Sequence, residues 1–494
     1  MKRTNLLFIY TDEQSFNTLA AYGNEQIEMP HLNRLAAASS VFEKAYVTQP
    51  VCTPSRSTLL TGLYPHTNGC TENNIPLQPT TACLPEMLAA GDYATAHIGK
   101  WHLGDELFAQ HGFAEWVSIE DGYNAYFSAG RDPDATSSYH DFLIANGLRP
   151  ERGERFGRAQ ASRLPEEYGK PAFLAGEASR FIRAHQDQPF VLYLNFLEPH
   201  MPFFGPRDDQ YDPASIPLPP NFAPPLDESH PLKARVLAAA YRQRGHSGLP
   251  LQTPEDWQRM IANYWGLCSL VDTHIGTVLD TLEECGLYDD TLVVFTSDHG
   301  DMMGGHQLLA KCLMFEEAVR VPLLIRLPGQ RQGKHIGGPV SQIDIVPTLL
   351  DLLGQEIPEH LQGESLRPLL ETANAHSEAN VFLQWNGPNS GIVGEEKGAF
   401  QVPTPLRGIV AADELEEAVT DPVRTLITPE GWKLNYSPRG EHELYNLGSD
   451  PGENKNAFGQ KELEPLVEAL ADQIIQWQKR TGDNVVLPPL KSRH

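Results

Sequence analysis

Leu6-Leu7-Phe8-Ile9-Tyr10-Thr11-Asp12 is a continuous apolar run that stops at a carboxylate. Apolar residues without alternation suit a strand buried on both faces, as in a parallel sheet covered by helices. Three further runs read the same way. Tyr93 to Ile98 leads into Gly99-Lys100-Trp101-His102, Phe190 to Phe196 ends at Glu198-Pro199-His200, and Thr291 to Thr296 ends at Ser297-Asp298-His299-Gly300. Val321 to Ile325 adds another apolar strand. In open α/β sheets, ligands bind at the carboxyl ends of the strands. One polar loop start after a strand is commonplace, but these all deliver reactive side chains to the same edge.

Helical stretches separate the strands: Pro54 to Leu63, Pro171 to His185, Pro254 to Cys285 and Asp344 to Leu353. The third is long and amphipathic, with Asp256, Asp272 and Asp280 on its mostly polar side. The expected fold is α/β, a large α/β/α sandwich on a mixed, mostly parallel sheet, over residues 1–375. Residues 203–250 are Pro-rich with little periodicity and read as a long excursion over the surface, either a pocket wall or a plain insertion. From Asn380 the texture changes. Val381-Phe382-Leu383, Thr425-Leu426-Ile427 and Trp432-Lys433-Leu434 read as short antiparallel strands, with a helix from Glu462 to Lys479 packed on them. Residues 376–494 are thus expected to form a smaller α+β domain, with 386–405 as a Gly- and Pro-rich connection.

The 494 residues exceed one ordinary core, which agrees with two domains. Lys and Arg number 38 against 64 Asp and Glu, a net charge of −26. That balance argues against nucleic acid or an anionic membrane as partner. The six cysteines (Cys52, Cys70, Cys83, Cys268, Cys285 and Cys312) are scattered and suggest neither a zinc site nor a disulfide framework. No apolar stretch is long enough to cross a membrane. The run Leu6 to Tyr10 is too short for a signal-peptide core. The expected location is cytoplasmic, or periplasmic or secreted if a leader has been removed.

Cys52-Thr53-Pro54-Ser55-Arg56 is the chain's most specific motif. By itself it could be a buried Cys ahead of a Pro-started helix. Together with Asn5 to Asp12, Gly99 to Gly104, Glu198-Pro199-His200 and Ser297 to Pro322, it resembles the type I sulfatases of the alkaline phosphatase superfamily. The C-terminal Glu443 to Leu447 and Asp450-Pro451-Gly452-Glu453 are similar to that family's usual ending, so the resemblance spans nearly the whole chain.

The resemblance implies an alkaline phosphatase-like fold and a formylglycine made from Cys52 by the formylglycine-generating enzyme, a transient partner. It implies a divalent cation, Ca²⁺, on Asp12, Asp298, His299 and a hydroxyl of hydrated formylglycine. Carboxylates suit Ca²⁺ or Mg²⁺, and the imidazole makes Mn²⁺ acceptable. Glu13 departs from the pattern, since many sulfatases have a second Asp there. Glu is longer, and the neighbour of a strand-end residue often points to the opposite face. The sequence leaves Glu13 open as a further ligand.

A hydroxyl of the hydrate is the expected nucleophile at sulfur. The second hydroxyl then allows sulfate to be expelled as the aldehyde returns, which plain Ser or Cys cannot do. Arg56, one turn after Cys52, can reach the diol and the metal carboxylates. Lys100 and Lys311 are expected to bind sulfate oxygens as point charges. By resemblance, His102 deprotonates the second hydroxyl, and His200 binds the ester oxygen and protonates the leaving group. Asn73 lies where related hydrolases aim an amide at the substrate oxygens, although a loop Asn is the plain alternative. His306 is given no step. Lys311 sits beside Cys312, which replaces a commoner polar residue.

These groups form a local positive trap in an acidic protein, suited to a small anionic sulfate ester (a sulfated sugar or an aryl or alkyl sulfate). The alternatives are a phosphonate or phosphate ester hydrolase on the same site, and a silent binding protein if Cys52 stays a thiol. Homo-oligomerisation is left open.

Overall fold

Alternate residues of the first strand, β1 (Asn5–Asp12), enter two different cores. Leu7 and Ile9 pack on one face of the sheet with Phe181, Ile182, Val271 and Ile275. Leu6, Phe8 and Tyr10 pack on the other with Leu59, Leu60, Leu349 and Leu350. This is the period of a strand read out in three dimensions, with helices covering both sides. The structure, a computed structural model, describes residues 3–89, 91–121, 128, 130–387 and 410–490.

The other strands are β2 (Ser40–Tyr46), β3 (Ala94–Gly99), β4 (Glu115–Val117), β5 (Phe190–Pro199), β6 (Thr291–Ser297), β7 (Arg320–Val321), β8 (Leu323–Arg326) and β9 (Lys334–Ser341). They form one mixed sheet in the order β4-β3-β5-β1-β6-β8-β2-β7, with β9 paired to β2. The five strands from β4 to β6 run parallel, and β8 is antiparallel to both of its neighbours. Register brings the tips together. Gly99 and Tyr10 each pair with Asn195, Thr11 pairs with Ser297, and Asp12 pairs with Pro199. Gly99 is required at its tip, because its φ is +123° and a Cβ would lie 1.9 Å from the Asn195 carbonyl oxygen.

A second sheet is antiparallel: β10 (Val381–Gln384), β11 (Arg424–Ile427), β12 (Trp432–Tyr436) and β13 (Glu443–Asn446), in that order. Helix Glu464–Thr481 covers it through Val467, Leu470, Ile474 and Trp477. The sheet also lends Val381, Leu383 and Ile427 to the core of the large sheet, with Trp385 just after β10. A buried ion cluster joins the two sheets. The Lys433 ammonium lies 3.1 Å from Glu316 and 2.8 Å from Glu453, while the Tyr46 hydroxyl donates to Glu316 at 3.0 Å. Lys433→Met would leave two buried carboxylates without their cation. We expect it to lower the urea midpoint by the equivalent of about 3–5 kcal/mol.

Several expectations need correction. Val321 to Ile325 is not one strand. Pro322 has no N–H to give and splits it into β7 and β8. Asp272 is not on a polar face. It is fully buried, and its carboxylate accepts the backbone N–H groups of His31 (3.1 Å) and Leu32 (2.7 Å) at the start of helix Pro30–Ala37. The stretch 203–250 is not without regular structure, since it contains helix Leu232–Arg244, with Leu232, Lys233, Val236 and Leu237 buried. Residues 388–405 of the Gly- and Pro-rich connection lie outside the described residues. Among the described residues, no helix is long and apolar enough to cross a membrane.

Candidate active site

Helix Cys52–Thr61 begins at Cys52 itself, with Pro54 in its first turn. Asn73 Oδ1 accepts the Thr53 backbone N–H at 2.9 Å, which holds the Asn73 side chain at the start of this helix, beside Cys52. All ten helix residues are buried, and Cys52 is carried to the sheet edge where the strand tips converge.

Four side chains meet there: Asp12, Cys52, Asp298 and His299 place one ligand atom each within 4.8 Å of one another, all buried. Cys52 Sγ is 3.7 Å from Asp12 Oδ1 and 3.3 Å from His299 Nε2. His299 Nδ1 donates to the Gly300 carbonyl at 2.9 Å, which leaves the lone pair of Nε2 facing the cluster. Two carboxylates, an imidazole and the atom at position 52 form a donor set that fits a hard divalent cation.

Arg56 ties the carboxylates together. Its Nε donates to Asp298 Oδ2 at 2.8 Å, its Nη2 to Asp12 Oδ2 at 3.0 Å and its Nη1 to the Lys100 carbonyl at 2.9 Å. Its guanidinium lies 5.0 Å from the Tyr10 ring centroid. The Lys100 ammonium bonds Asp12 Oδ2. Burial works against the Asp12 anion, but Lys100, His200, Arg56 and Lys311 together hold this carboxyl well below its ordinary range. Burial also pushes the Cys52 thiol up to about 11, helped by Asp12, so the unmodified side chain is a neutral thiol and a poor nucleophile.

Glu13 lies outside the four-donor group. It forms a second one with Asp12 and His200. Its φ is +69°, its N–H donates to Asp298 Oδ1 at 3.1 Å, and its Oε2 receives the Lys311 ammonium at 3.0 Å and lies 3.5 Å from His200 Nε2. Burial pushes its carboxyl up to about 8 despite Lys311. His200 Nδ1 donates to the Met201 carbonyl at 2.8 Å, so Nε2 is the nitrogen presented to the site. His102 Nε2 donates to Asn74 Oδ1 at 2.9 Å, leaving its lone pair on Nδ1. Burial, with the neighbouring lysines, holds both imidazoles well below their ordinary range and therefore neutral.

The structure thus gathers Asp12, Glu13, Cys52, Arg56, Lys100, His102, His200, Asp298, His299 and Lys311 at one edge. It also adds residues that sequence reading missed. Gln342 donates to the Ser297 and Asp298 carbonyls at 3.0 and 3.2 Å, and Ser55 bonds both Gln342 and the Asp298 carbonyl. Glu106 accepts the N–H groups of Trp101 (3.0 Å) and His102 (2.7 Å) and so shapes the turn that presents His102, whose φ is +57°. No local signal marks Gln342, which approaches the site only through the chain's return in β9. Asn74, next to the nominated Asn73, had a visible hint in its position.

The family model for sulfatases matches residues 4–355. The chain belongs to the sulfatase family of the alkaline phosphatase superfamily. It is a sulfuric ester hydrolase. Among curated relatives of this sulfatase, YidJ of Escherichia coli K12 is 28% identical over 98% of this chain and 88% of its own. The N-acetylglucosamine-6-O-sulfatase of Bacteroides thetaiotaomicron is 26% identical over 98% and 88%. Among solved structures, the phosphonate monoester hydrolase of Silicibacter pomeroyi superposes with a TM-score of 0.76 at 25% identity, covering 97% of this chain and 96% of the other.

Proposed function

We propose that this sulfatase hydrolyses the sulfate monoester of a sugar through a formylglycine at position 52, with a divalent cation, Ca²⁺, held by Asp12, Asp298, His299 and that residue. The observation that carries the reading is the position of Cys52 Sγ, buried among these three donors with two lysines beside them. The cation supplies charge stabilisation for the sulfuryl oxygens when bound. One hydroxyl of the hydrated aldehyde would attack sulfur as the ester S–O bond breaks, the proton it gives up passing by way of His200 to the departing oxygen. The second hydroxyl would then lose its proton, its electron pair re-forming the carbonyl as the bond from carbon to the sulfate oxygen breaks to release sulfate, and addition of water to the aldehyde would restore the hydrate.

The chain's own side chains supply the rest. Lys100, paired with Asp12, and Lys311, paired with Glu13, supply charges for sulfuryl oxygens. His102, with its lone pair on Nδ1, takes the proton of the second hydroxyl. His200 presents Nε2 to the departing oxygen, and the incoming anion favours its protonated form. Glu13 Oε2 sits between Lys311 and His200, where it orders both before substrate arrives. The sugar substrate class rests on the likeness to the N-acetylglucosamine-6-O-sulfatase.

The likeness to a phosphonate monoester hydrolase favours one alternative, in which the same site cleaves a phosphonate ester. The two are separated by kcat/KM for 4-nitrophenyl sulfate, a 4-nitrophenyl phosphonate and a panel of sulfated amino sugars. We expect the sugar sulfates to lead and the aryl sulfate to exceed the phosphonate by at least about 10-fold, or roughly 1.4 kcal/mol of transition-state binding. A phosphonate preference would overturn the sulfatase reading for this site.

A further inference from the structure

Lys311 is flanked by two residues in the left-handed region, Ala310 at φ +61° and Cys312 at φ +74°. Such backbone persists where the surroundings over-determine it. The Ala310 N–H donates to Asp301 Oδ1 at 3.1 Å, and the Ala310 carbonyl accepts the Met302 N–H at 2.8 Å. The Cys312 N–H donates to the Pro50 carbonyl at 3.0 Å, two residues before Cys52. The Cys312 carbonyl is taken by the Lys233 ammonium at 2.5 Å.

Lys233 is an unusual residue to find there. It is 7% exposed, and its ammonium is spent on a backbone carbonyl. The ammonium also stands 3.6 Å from the Trp385 ring centroid. Burying a cation is costly, and burial pulls this one down to about 8 against the opposing charge of Asp421. Lys233 comes from helix Leu232–Arg244 of the Pro-rich excursion, while the Trp385 backbone N–H, just beyond β10, donates to the Val423 carbonyl at 2.8 Å. One ammonium therefore joins the excursion, the second sheet and the loop of Lys311.

We propose that Lys233 is a positioning residue for the sulfuryl group: by holding the Cys312 carbonyl, it fixes where the Lys311 ammonium stands beside residue 52. This rests on the role given to Lys311 above. Lys233 lies outside the four-donor group and acts through Lys311.

The test is a double-mutant cycle on kcat/KM for an aryl sulfate, using full-length protein with the aldehyde confirmed at position 52. Lys311→Ala is expected to lower kcat/KM by about 10²–10³-fold, as for loss of one oxyanion donor. Lys233→Met is expected to lower it by about 10–10²-fold through misplacement. The double variant should be no slower than Lys311→Ala alone, and Lys233→Arg, which keeps donor and charge, should recover most of the loss. Lys233→Leu also removes the donor and gives the same cycle should Lys233→Met not fold. A double variant slowed by the product of the single losses would overturn the proposal, as would unchanged kcat/KM in both Lys233→Met and Lys233→Leu. Undiminished turnover by Lys311→Ala would instead refute the role of Lys311, a failure distinct from additivity.

Discussion

Cys52→Ser is expected to keep its fold and lose multiple turnover. The side chain is 1% exposed, and exchanging sulfur for oxygen removes little volume, so the melting temperature should change by only a few degrees. The chemical consequence is far larger. A serine has one hydroxyl. It can accept a sulfuryl group but has no second hydroxyl with which to expel it. We expect at most one equivalent of alcohol per chain, then a halt, with kcat reduced by about 10⁴-fold or more, the scale of nucleophile loss. Rapid-quench measurement of alcohol release checks this. Undiminished turnover by the variant would remove formylglycine from the mechanism.

Asp298→Asn should have the second largest effect. One carboxylate oxygen of Asp298 accepts from Arg56 Nε at 2.8 Å, and the other from the N–H groups of Glu13 (3.1 Å) and His299 (2.8 Å). Both oxygens face donors. An amide must therefore turn its NH₂ toward one of them, whichever way it flips. The variant loses a negative charge from the four-donor group and leaves Arg56 with a single anionic partner, Asp12. We expect loss of bound divalent metal by elemental analysis, kcat/KM lowered by about 10³-fold or more, and a stability loss of about 1–3 kcal/mol. Metal content equal to that of the parent protein would refute the assigned donors.

Much of this site was legible because several of its side chains stand at or just beyond the ends of strands buried on both faces. Asp12, Lys100, His200 and Asp298 all follow mostly apolar runs, and such runs identify themselves. The strands that escaped notice lack that texture. β2 carries Glu43 and Lys44 in its middle, where the chain meets solvent, and β9 contains Gly337-Gly338-Pro339, which reads as a turn. Asp272 was misread because helical spacing alone cannot tell a solvated carboxylate from one buried to cap a neighbouring helix. Lys233 is harder still. Its meaning lies in a carbonyl 79 residues away and a ring from the second sheet, and no local pattern announces either.

The central claim is that residue 52 works as an aldehyde and not as a thiol. The measurement that tests it most directly is mass spectrometry of the tryptic peptide ending at Arg56, run on preparations co-expressed with graded amounts of formylglycine-generating enzyme. Turnover of a sulfate ester is assayed on the same samples. Specific activity should rise in proportion to the aldehyde fraction and extrapolate to zero where every residue 52 is still cysteine. Full activity in a preparation whose peptide carries only the thiol would contradict it.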